Sequence, residues 1–599
     1  MAEKVVNIGG ASGAWGDSPM AIPQLLTADV HYLMMDYLAE VTMSLLARAR
    51  LKDANAGFPP DFVAYLKRSL PEIARRGIKV VSNGGGVNPQ AAKRALEAVC
   101  AEQGLSLKIA VVEGDDVLPR IDALRATTRE ASTGEPLPAK LLTANAYLGA
   151  LPIAAALDRG ADIVITGRCA DSALALGILI HEFQWKADDY DRLAAGSLVG
   201  HILECGPQST GGVHTDWDKV PGWENIGYPI ASCKIDGSFV LGKPDKTGGL
   251  IVPASVAEQV LYEVGDPQAY ILPDVVADFS GVTLEQAGDN RVRVSGAKGY
   301  APTSQYKVSA TFQDGWRGVA VVSIVGPDAV AKAEKTAEAL LARARMLFRQ
   351  RQLPDFTATH TEVLGAESAY GPKANARGVR EVLMRLVVDH VDREAIDIFA
   401  RELGSVGISF AQGTTGIFSG RPKPTPVVRL FTFFVDKSVL GAPKVQIGEA
   451  DPFIVGVPTE GGYAAQAATH EASQAASNQA ASNDAGVEID LRSLAVARSG
   501  DKGNASNIAI IARKPAYVAL LRREVTPEKI AAHFEGLVHG KVTRFEAPGL
   551  HAFNFLLEDA LGGGGMASRR IDPQGKAFGQ MALEMKVRVP TALAKELEP

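Results

Sequence analysis

At 599 residues the chain is several times longer than a domain of roughly 150 residues, so about three or four domains are expected rather than one compact unit. Hydrophobic residues at 46% and charged residues at 22% are ordinary for a globular protein and exclude global disorder. Lys plus Arg is 62 against 68 for Asp plus Glu, a net charge of -6, which leaves no excess of positive charge for a nucleic-acid backbone.

Over residues 1–224 short apolar runs alternate with longer amphipathic ones, the pattern of repeated β-α units around a parallel sheet. Strands are expected at residues 5–8, 30–35, 78–81, 107–112 and 162–166, with helices at 39–50, 89–101 and 148–159 between them. The fold class is α/β: a doubly wound open sheet, with a β/α barrel as the alternative that periodicity cannot separate from it. Residues 225–463 change to an α+β style, with strands in Arg291-Val-Arg-Val-Ser295 and Tyr306-Lys-Val-Ser-Ala-Thr-Phe312 and a long helix at 329–349. Residues 464–485 contain no Leu, Ile, Val or Phe and read as a flexible linker. Residues 486–599 then read as a small α+β module of ferredoxin-like type, ending in a strand at 582–589.

Each predicted parallel strand runs into an unusual loop at what would be its C-terminal end, where open sheets and barrels both bind ligands. The first is Gly9-Gly10-Ala11-Ser12-Gly13-Ala14-Trp15-Gly16-Asp17, in which Gly10, Ser12 and Gly13 are candidates to offer backbone N–H groups to an anion. Asp17 reads either as an acid/base group or as a helix cap. Asp36 and Glu40, four residues apart after the second strand, are candidate acid/base partners or metal ligands, or else a capped helix start. The loop Ser82-Asn83-Gly84-Gly85-Gly86-Val87-Asn88-Pro89 contributes Asn83, Gly85 and Asn88, and Asn145 is a further neutral donor and acceptor. In Thr166-Gly-Arg168-Cys169-Ala-Asp171, the Arg168 guanidinium is suited to a carboxylate, a phosphate or a thioester-derived oxyanion, or to a local ion pair with Asp171. His201, Glu204 and Cys205 lie within one helical turn and read as part of a core or surface helix. In the C-terminal module, Arg498-Ser-Gly-Asp501-Lys502-Gly-Asn504 and Gly562-Gly563-Gly564-Gly565-Met-Ala-Ser568-Arg569-Arg570 read as anion-binding loops, hairpins or contacts for a partner subunit.

The first loop lacks the Gly-x-Gly-x-x-Gly dinucleotide spacing, and no phosphate loop or Gly-x-Ser-x-Gly elbow occurs. The ten His and four Cys form no zinc pattern, so no cofactor is strongly indicated and an oxygen-ligated divalent metal ion stays open. The scattered cysteines fit a reducing cytosol, and neither a secretory leader nor a membrane span is read.

Taken together, Gly10-Ala-Ser-Gly-Ala-Trp-Gly-Asp17, Asp36-Tyr-Leu-Ala-Glu40-Val-Thr-Met43, Ser82-Asn-Gly-Gly-Gly-Val-Asn-Pro89, Thr166-Gly-Arg-Cys-Ala-Asp171 and Asp274-Val-Val-Ala-Asp-Phe279 resemble the acyclic terpene utilisation AtuA family. The C-terminal match rests on Ala497-Arg-Ser-Gly-Asp-Lys-Gly-Asn504, Leu561-Gly-Gly-Gly-Gly-Met-Ala-Ser568 and Pro573-Gln-Gly-Lys576, so the resemblance spans essentially the whole length. It implies an AtuA domain followed by an AtuA-like ferredoxin-fold domain, and an association with citronellol and geraniol catabolism through branched acyl-CoA esters and an acyl-CoA carboxylase. No catalytic residue is carried over.

The resulting expectation is a cytoplasmic, homo-oligomeric enzyme of hydratase or lyase type acting on an acyl-CoA or an organic acid, with CoA present as part of the substrate. Asp17, Asp36, Glu40 and Asp171 are the acid/base candidates, and Arg168 and Asn83 the oxyanion stabilisers. Gly10, Ser12, Gly13, Gly85, Asn88, Asn145, Asp501, Lys502, Gly563, Gly564, Ser568 and Arg569 are the substrate-binding candidates, with Arg569 and Arg570 reaching toward a CoA phosphate. The alternatives are a non-catalytic accessory protein for an acyl-CoA carboxylase pathway, docking through the C-terminal module, and a ligand-binding regulator. Neither a nucleic-acid nor a membrane partner is expected.

Overall fold

The computed structural model describes residues 4–418, 420–463 and 486–597; the expected linker at 464–485 lies outside the described residues. Five parallel strands form the centre of an open sheet: β1 (Val6–Ser12), β2 (Tyr32–Met35), β3 (Lys79–Ser82), β6 (Ile163–Thr166) and β4 (Ile109–Glu113), in that spatial order. Their sequences are short continuous apolar runs because helices cover both faces, and Ile-Val-Ile-Thr of β6 is buried throughout. Antiparallel strands extend the sheet on both sides. Ile230–Cys233, Phe239–Gly242, Arg291–Ser295 and Thr283–Gly288 continue beyond β1, and Lys444–Ile447 and Phe453–Ile454 beyond β4. The sheet keeps two edges, so it is not a barrel, and it draws strands from both sides of residue 225.

The expected strand at 5–8 is longer than its apolar run, because β1 continues through Gly9, Gly10, Ala11 and Ser12. A strand that the pattern did not show, β5 (Thr143–Ala146), leaves the parallel sheet and pairs with the 21-residue strand Gln305–Val325. That long strand organises a second, antiparallel sheet with Ala358–Leu364, Glu381–His390, Thr414–Phe418 and Thr425–Asp436, backed by the helix Ala329–Gln350. The Gly and Thr segment that leads into Thr414–Phe418 is thus an edge strand paired with Gln305–Val325.

In the C-terminal domain four antiparallel strands run in the order Ala495–Lys502, Ala505–Ala512, Ala552–Leu557 and Val542–Ala547, with Val487–Asp490 and Lys586–Val589 paired separately. The segment that reads as a loop, 498–504, is instead the end of one strand and the turn into the next: Lys502 pairs with Ala505 across Gly503 and Asn504. The residues expected to start the final strand at 582 end a short helix, Phe578–Ala582. Period-two alternation sends Ile508 and Ile510 into the domain's own core and Ala509 and Ile511 into the large N-terminal core. Both faces of the small sheet are therefore buried, and the domain is part of the body of the protein.

Candidate functional site

The strand ends converge as the loop pattern predicts, but the glycines there serve contact between elements. A Cβ on Gly10 would come 2.7 Å from the Leu203 carbonyl oxygen, and one on Gly13 the same distance from the Cys205 backbone, so only glycine lets the first loop seat the end of the helix Tyr190–Leu203. The residue delivered by that contact is Glu204. Gly85 donates its N–H to the Thr166 carbonyl at 3.1 Å with no space for a Cβ, which draws the end of β3 against the end of β6. Ser12 Oγ donates to the Asp36 carbonyl at 2.9 Å.

Three carboxylates meet at this point. Asp36, Asp171 and Glu204 each place one ligand-capable oxygen within 4.8 Å of the other two. Asn83 donates to Asp36 Oδ1 at 2.5 Å and accepts from the Tyr37 N–H, so its amide positions Asp36. Arg168, buried, donates to Asp171 at 2.5 Å and to the Leu38 carbonyl at 2.7 Å, and lies 4.2 Å over the Tyr147 ring. Its own backbone N–H, together with the Asn145 amide, is held by the buried carboxylate of Asp115 at 2.9 and 2.8 Å. Asn145 therefore braces the wall, while Asn88 tethers the carbonyls of Ala54 and Ala56. Asp17 lies outside the cluster: its carboxylate accepts from Gly13 N, Ser18 N and the Tyr228 hydroxyl, bracing the first loop.

The second sheet and the C-terminal domain close the space. Glu40, at the start of the helix Glu40–Lys52, accepts a short hydrogen bond from the Tyr147 hydroxyl, and Lys307 of the long strand lies 4.7 Å over the same ring. From the C-terminal domain Lys502 lies 5.0 Å over the ring of Tyr270, and Lys576 contacts the Tyr262 hydroxyl and pairs with Glu263 at 3.2 Å. Lys307, Lys502 and Lys576 keep solvent-accessible side chains, while burial of their surroundings opposes the charge of each. Together with the carboxylate cluster they line a solvent-open chamber.

The electrostatics follow from desolvating many charges together. Burial, then the proximity of Asp171 and Glu204, pushes the Asp36 carboxyl well above the ordinary range. Burial, then Asp171 and Glu263, does the same to Glu204. Burial raises Asp171 against the opposing pull of Arg168. Burial also opposes charge on Glu40, yet Lys307, Arg168 and the Tyr147 hydroxyl hold it down at about 2, so it stays ionised. Burial and Asp501 push Glu263 up to about 8, and burial brings Lys576 down to about 8. Asp501 rises to about 6 and His201, which pairs with Glu204 at 3.1 Å, falls to about 4, each moved first by burial. Three oxygen ligands from separate elements could also hold a divalent cation. Cys169 is buried with its thiol pushed up, which removes nucleophilic character.

The glycine-rich C-terminal loop has a different job from the one its composition indicates. Gly563 N donates to Asn504 Oδ1 at 2.7 Å, and a Cβ on Gly564 (φ +68) would lie 2.0 Å from the Gly503 carbonyl oxygen. The loop clasps the turn that follows Lys502. Arg569 is spent on Asp389 at 3.1 Å, beside the bidentate pair of Arg317 with Asp389. The carbonyls of Met566, Ala567 and Ser568 accept from Arg317, and the Ser568 hydroxyl accepts from Arg570 N. Arg570 donates to the carbonyls of Ala560 and Leu537. Arg569 and Arg570, expected to reach toward a CoA phosphate, are directed to internal contacts instead, Arg569 through Nη1 to Asp389 and Arg570 through Nη1 and Nη2 to two backbone carbonyls. Buried Asn507 and Asn554 complete the docking by bonding the backbone of residues 261–265.

Glu204, Tyr147, Tyr270, Glu263, Lys307 and Lys576 complete the chamber and were not singled out as site residues from sequence. Lys307, Ser309 and Thr311 alternate with Tyr306, Val308 and Ala310, which marks a polar face on a buried strand. Glu204 had only its proximity to His201 as a signal.

The fold is an open α/β sheet whose strand-end carboxylates and arginine lie beneath a docked C-terminal α+β domain. The acyclic terpene utilisation family protein AtuA matches residues 6–445 and the AtuA ferredoxin-like domain matches residues 489–588; the chain belongs to the AtuA family, with a C-terminal ferredoxin-like domain. Membership supports an association with acyclic terpene utilisation. No curated protein and no solved structure matches it. Among the described residues, no helix is long and apolar enough to cross a membrane.

Proposed function

We propose that the chamber catalyses proton-transfer chemistry of hydratase or lyase type on a branched acyl-CoA or a related organic acid. The observation that carries this reading is the carboxylate trio Asp36, Asp171 and Glu204 beside Arg168. Acid/base catalysis needs one group that holds a proton near neutral pH and one that accepts it. Mutual repulsion and burial keep protons on Asp36 and Glu204, whereas Arg168 favours the ionised form of Asp171. Asp171, whose side chain keeps 30% of its accessibility, is then the base for a proton next to the thioester carbonyl, and Glu204 the acid for the departing or added oxygen. Arg168 is anchored through Nη1 by Asp171 and the Leu38 carbonyl, while its buried Nε has no partner among the described residues, so the guanidinium keeps a donor with which to offset the enolate charge.

A divalent cation held by the same three oxygens is the competing use of this geometry. The test incubates the purified full chain with branched unsaturated and hydroxylated acyl-CoAs, with and without magnesium, and follows conversion by mass spectrometry. Conversion without magnesium that is lost in Asp171→Asn supports acid/base chemistry. Conversion only with magnesium moves the trio to metal ligation. Binding without conversion under either condition favours the accessory or regulatory role.

A further inference from the structure

Lys307 and Lys502 reach the chamber from separate parts of the chain, one from the long strand of the second sheet and the other from the C-terminal domain, and their ammonium groups repel one another. Each ammonium rests near a tyrosine face, Lys307 at 4.7 Å from Tyr147 and Lys502 at 5.0 Å from Tyr270. Among the described residues, neither makes a side-chain hydrogen bond or an ion pair within 4.0 Å, although Glu40, Glu204 and Glu263 share the chamber. Other lysines at domain contacts are used differently: Lys437, buried, donates to the carbonyls of Pro273 and Thr303. Two ammonium groups within electrostatic reach of one another and without anionic contacts are an arrangement that costs free energy unless an anion enters between them.

We propose that the space between Lys307 and Lys502 binds a carboxylate of the substrate, so that the substrate itself bridges the N-terminal region and the ferredoxin-like domain. The inference rests on the chamber being the active site and adds the substrate class: an organic acid or acyl ester carrying a free carboxylate in addition to its reacting carbonyl. Charge balance favours a carboxylate over a phosphate. With the carboxyls of Asp36, Glu204 and Glu263 biased toward their neutral forms, the four cations Arg168, Lys307, Lys502 and Lys576 face three anions, Glu40, Asp171 paired with Arg168, and Asp501, which leaves a surplus of one that a single negative charge offsets. The Lys502 ammonium is held in place by the clasp on its turn: the Ala560 and Leu561 N–H groups and Gly563 N bond Asn504, and the Asn504 amide donates to Asp559 at 2.8 Å.

The probe is glutarate, titrated calorimetrically into the full chain, with neutral glutaramide and inorganic phosphate as comparison arms. Glutarate is expected to bind and glutaramide not to bind. Lys307→Met and Lys502→Met should each weaken glutarate binding by about tenfold to a hundredfold, the range of one charge-assisted hydrogen bond. Lys307→Arg and Lys502→Arg should restore part of it, which separates lost charge from lost fold. Equal binding of glutarate and glutaramide, or glutarate binding unchanged in both methionine variants, overturns the clamp. Phosphate binding in place of glutarate overturns the carboxylate assignment. Because binding is read without turnover, glutarate binding in a protein that converts no acyl-CoA would leave the clamp standing and refute the proposed reaction, and turnover without glutarate binding would do the reverse.

Discussion

The two glycine-rich regions of this protein look alike in sequence and serve opposite ends of one chamber. At the N-terminal strand ends, Gly10 and Gly13 bring the end of a helix close enough for Glu204 to face Asp36 and Asp171. In the C-terminal domain, Gly563 and Gly564 clasp the turn that follows Lys502. In neither place does a glycine need to touch the ligand. The comparison teaches that missing Cβ atoms can mark where two backbones must meet, while the chemistry is carried by ordinary-looking residues that the meeting positions. It also separates their duties: the N-terminal side supplies the acid/base groups and the C-terminal side a cation and much of the cover.

The largest effect that would break this division is catalytic. Asp171→Asn should lower turnover of any converted acyl-CoA by about a hundredfold to ten-thousandfold, the usual contribution of a positioned acid or base; the asparagine oxygen still accepts from Arg168, so the protein stays folded at a lowered thermal midpoint and turnover is compared well below it. Next, Asp389→Ala removes the anion shared by Arg317 and Arg569 beneath the C-terminal loop and leaves both guanidiniums unpaired there. Urea unfolding should show a loss of about 3 to 5 kcal/mol. The clasp is sharpened by two neighbouring glycines. Gly564→Ala meets both a positive φ and the Gly503 carbonyl and should cost about 2 to 4 kcal/mol. Gly503→Ala, at φ +64 with open space around its Cβ, should cost only about 1 to 2 kcal/mol. Equal losses would show that the loop does not press on the turn.

The smallest effect is a pH slope. Glu263 rises to about 8 in the folded chain, so the native state keeps a proton that the unfolded state releases above the ordinary carboxylate range. Its contribution to stability is complete at low pH and is lost as pH rises from about 4.5 to about 8. Glu263→Gln should therefore flatten the decline of the thermal midpoint across that window, measured against the parent chain at each pH.

Much of the N-terminal architecture was legible because strands buried on both faces leave unbroken apolar runs and because each run ended in a conspicuous loop. Asp36, Glu40, Asn83, Arg168 and Asp171 could be picked out by their position at those ends, and the structure brings them to one place. β5 escaped notice because Thr-Ala-Asn-Ala carries little strand signal, and its partner lies more than 150 residues away. Lys307 and Lys502 were not legible as a pair, since only the docking of the two domains sets them on one cavity. Asp17, Asn88, Arg569 and Arg570 have the right residue types for a site, but hydrogen bonds and ion pairs within the fold occupy them.

The most direct test of a shared acid/base chamber is solvent-deuterium incorporation next to the thioester carbonyl, read by mass spectrometry across the acyl-CoA panel in heavy water. The parent chain should introduce deuterium, and Asp171→Asn and Lys502→Met, one change on each side of the chamber, should each suppress it. Incorporation that survives Lys502→Met would confine the chemistry to the N-terminal region, and no incorporation by the parent chain would contradict the account.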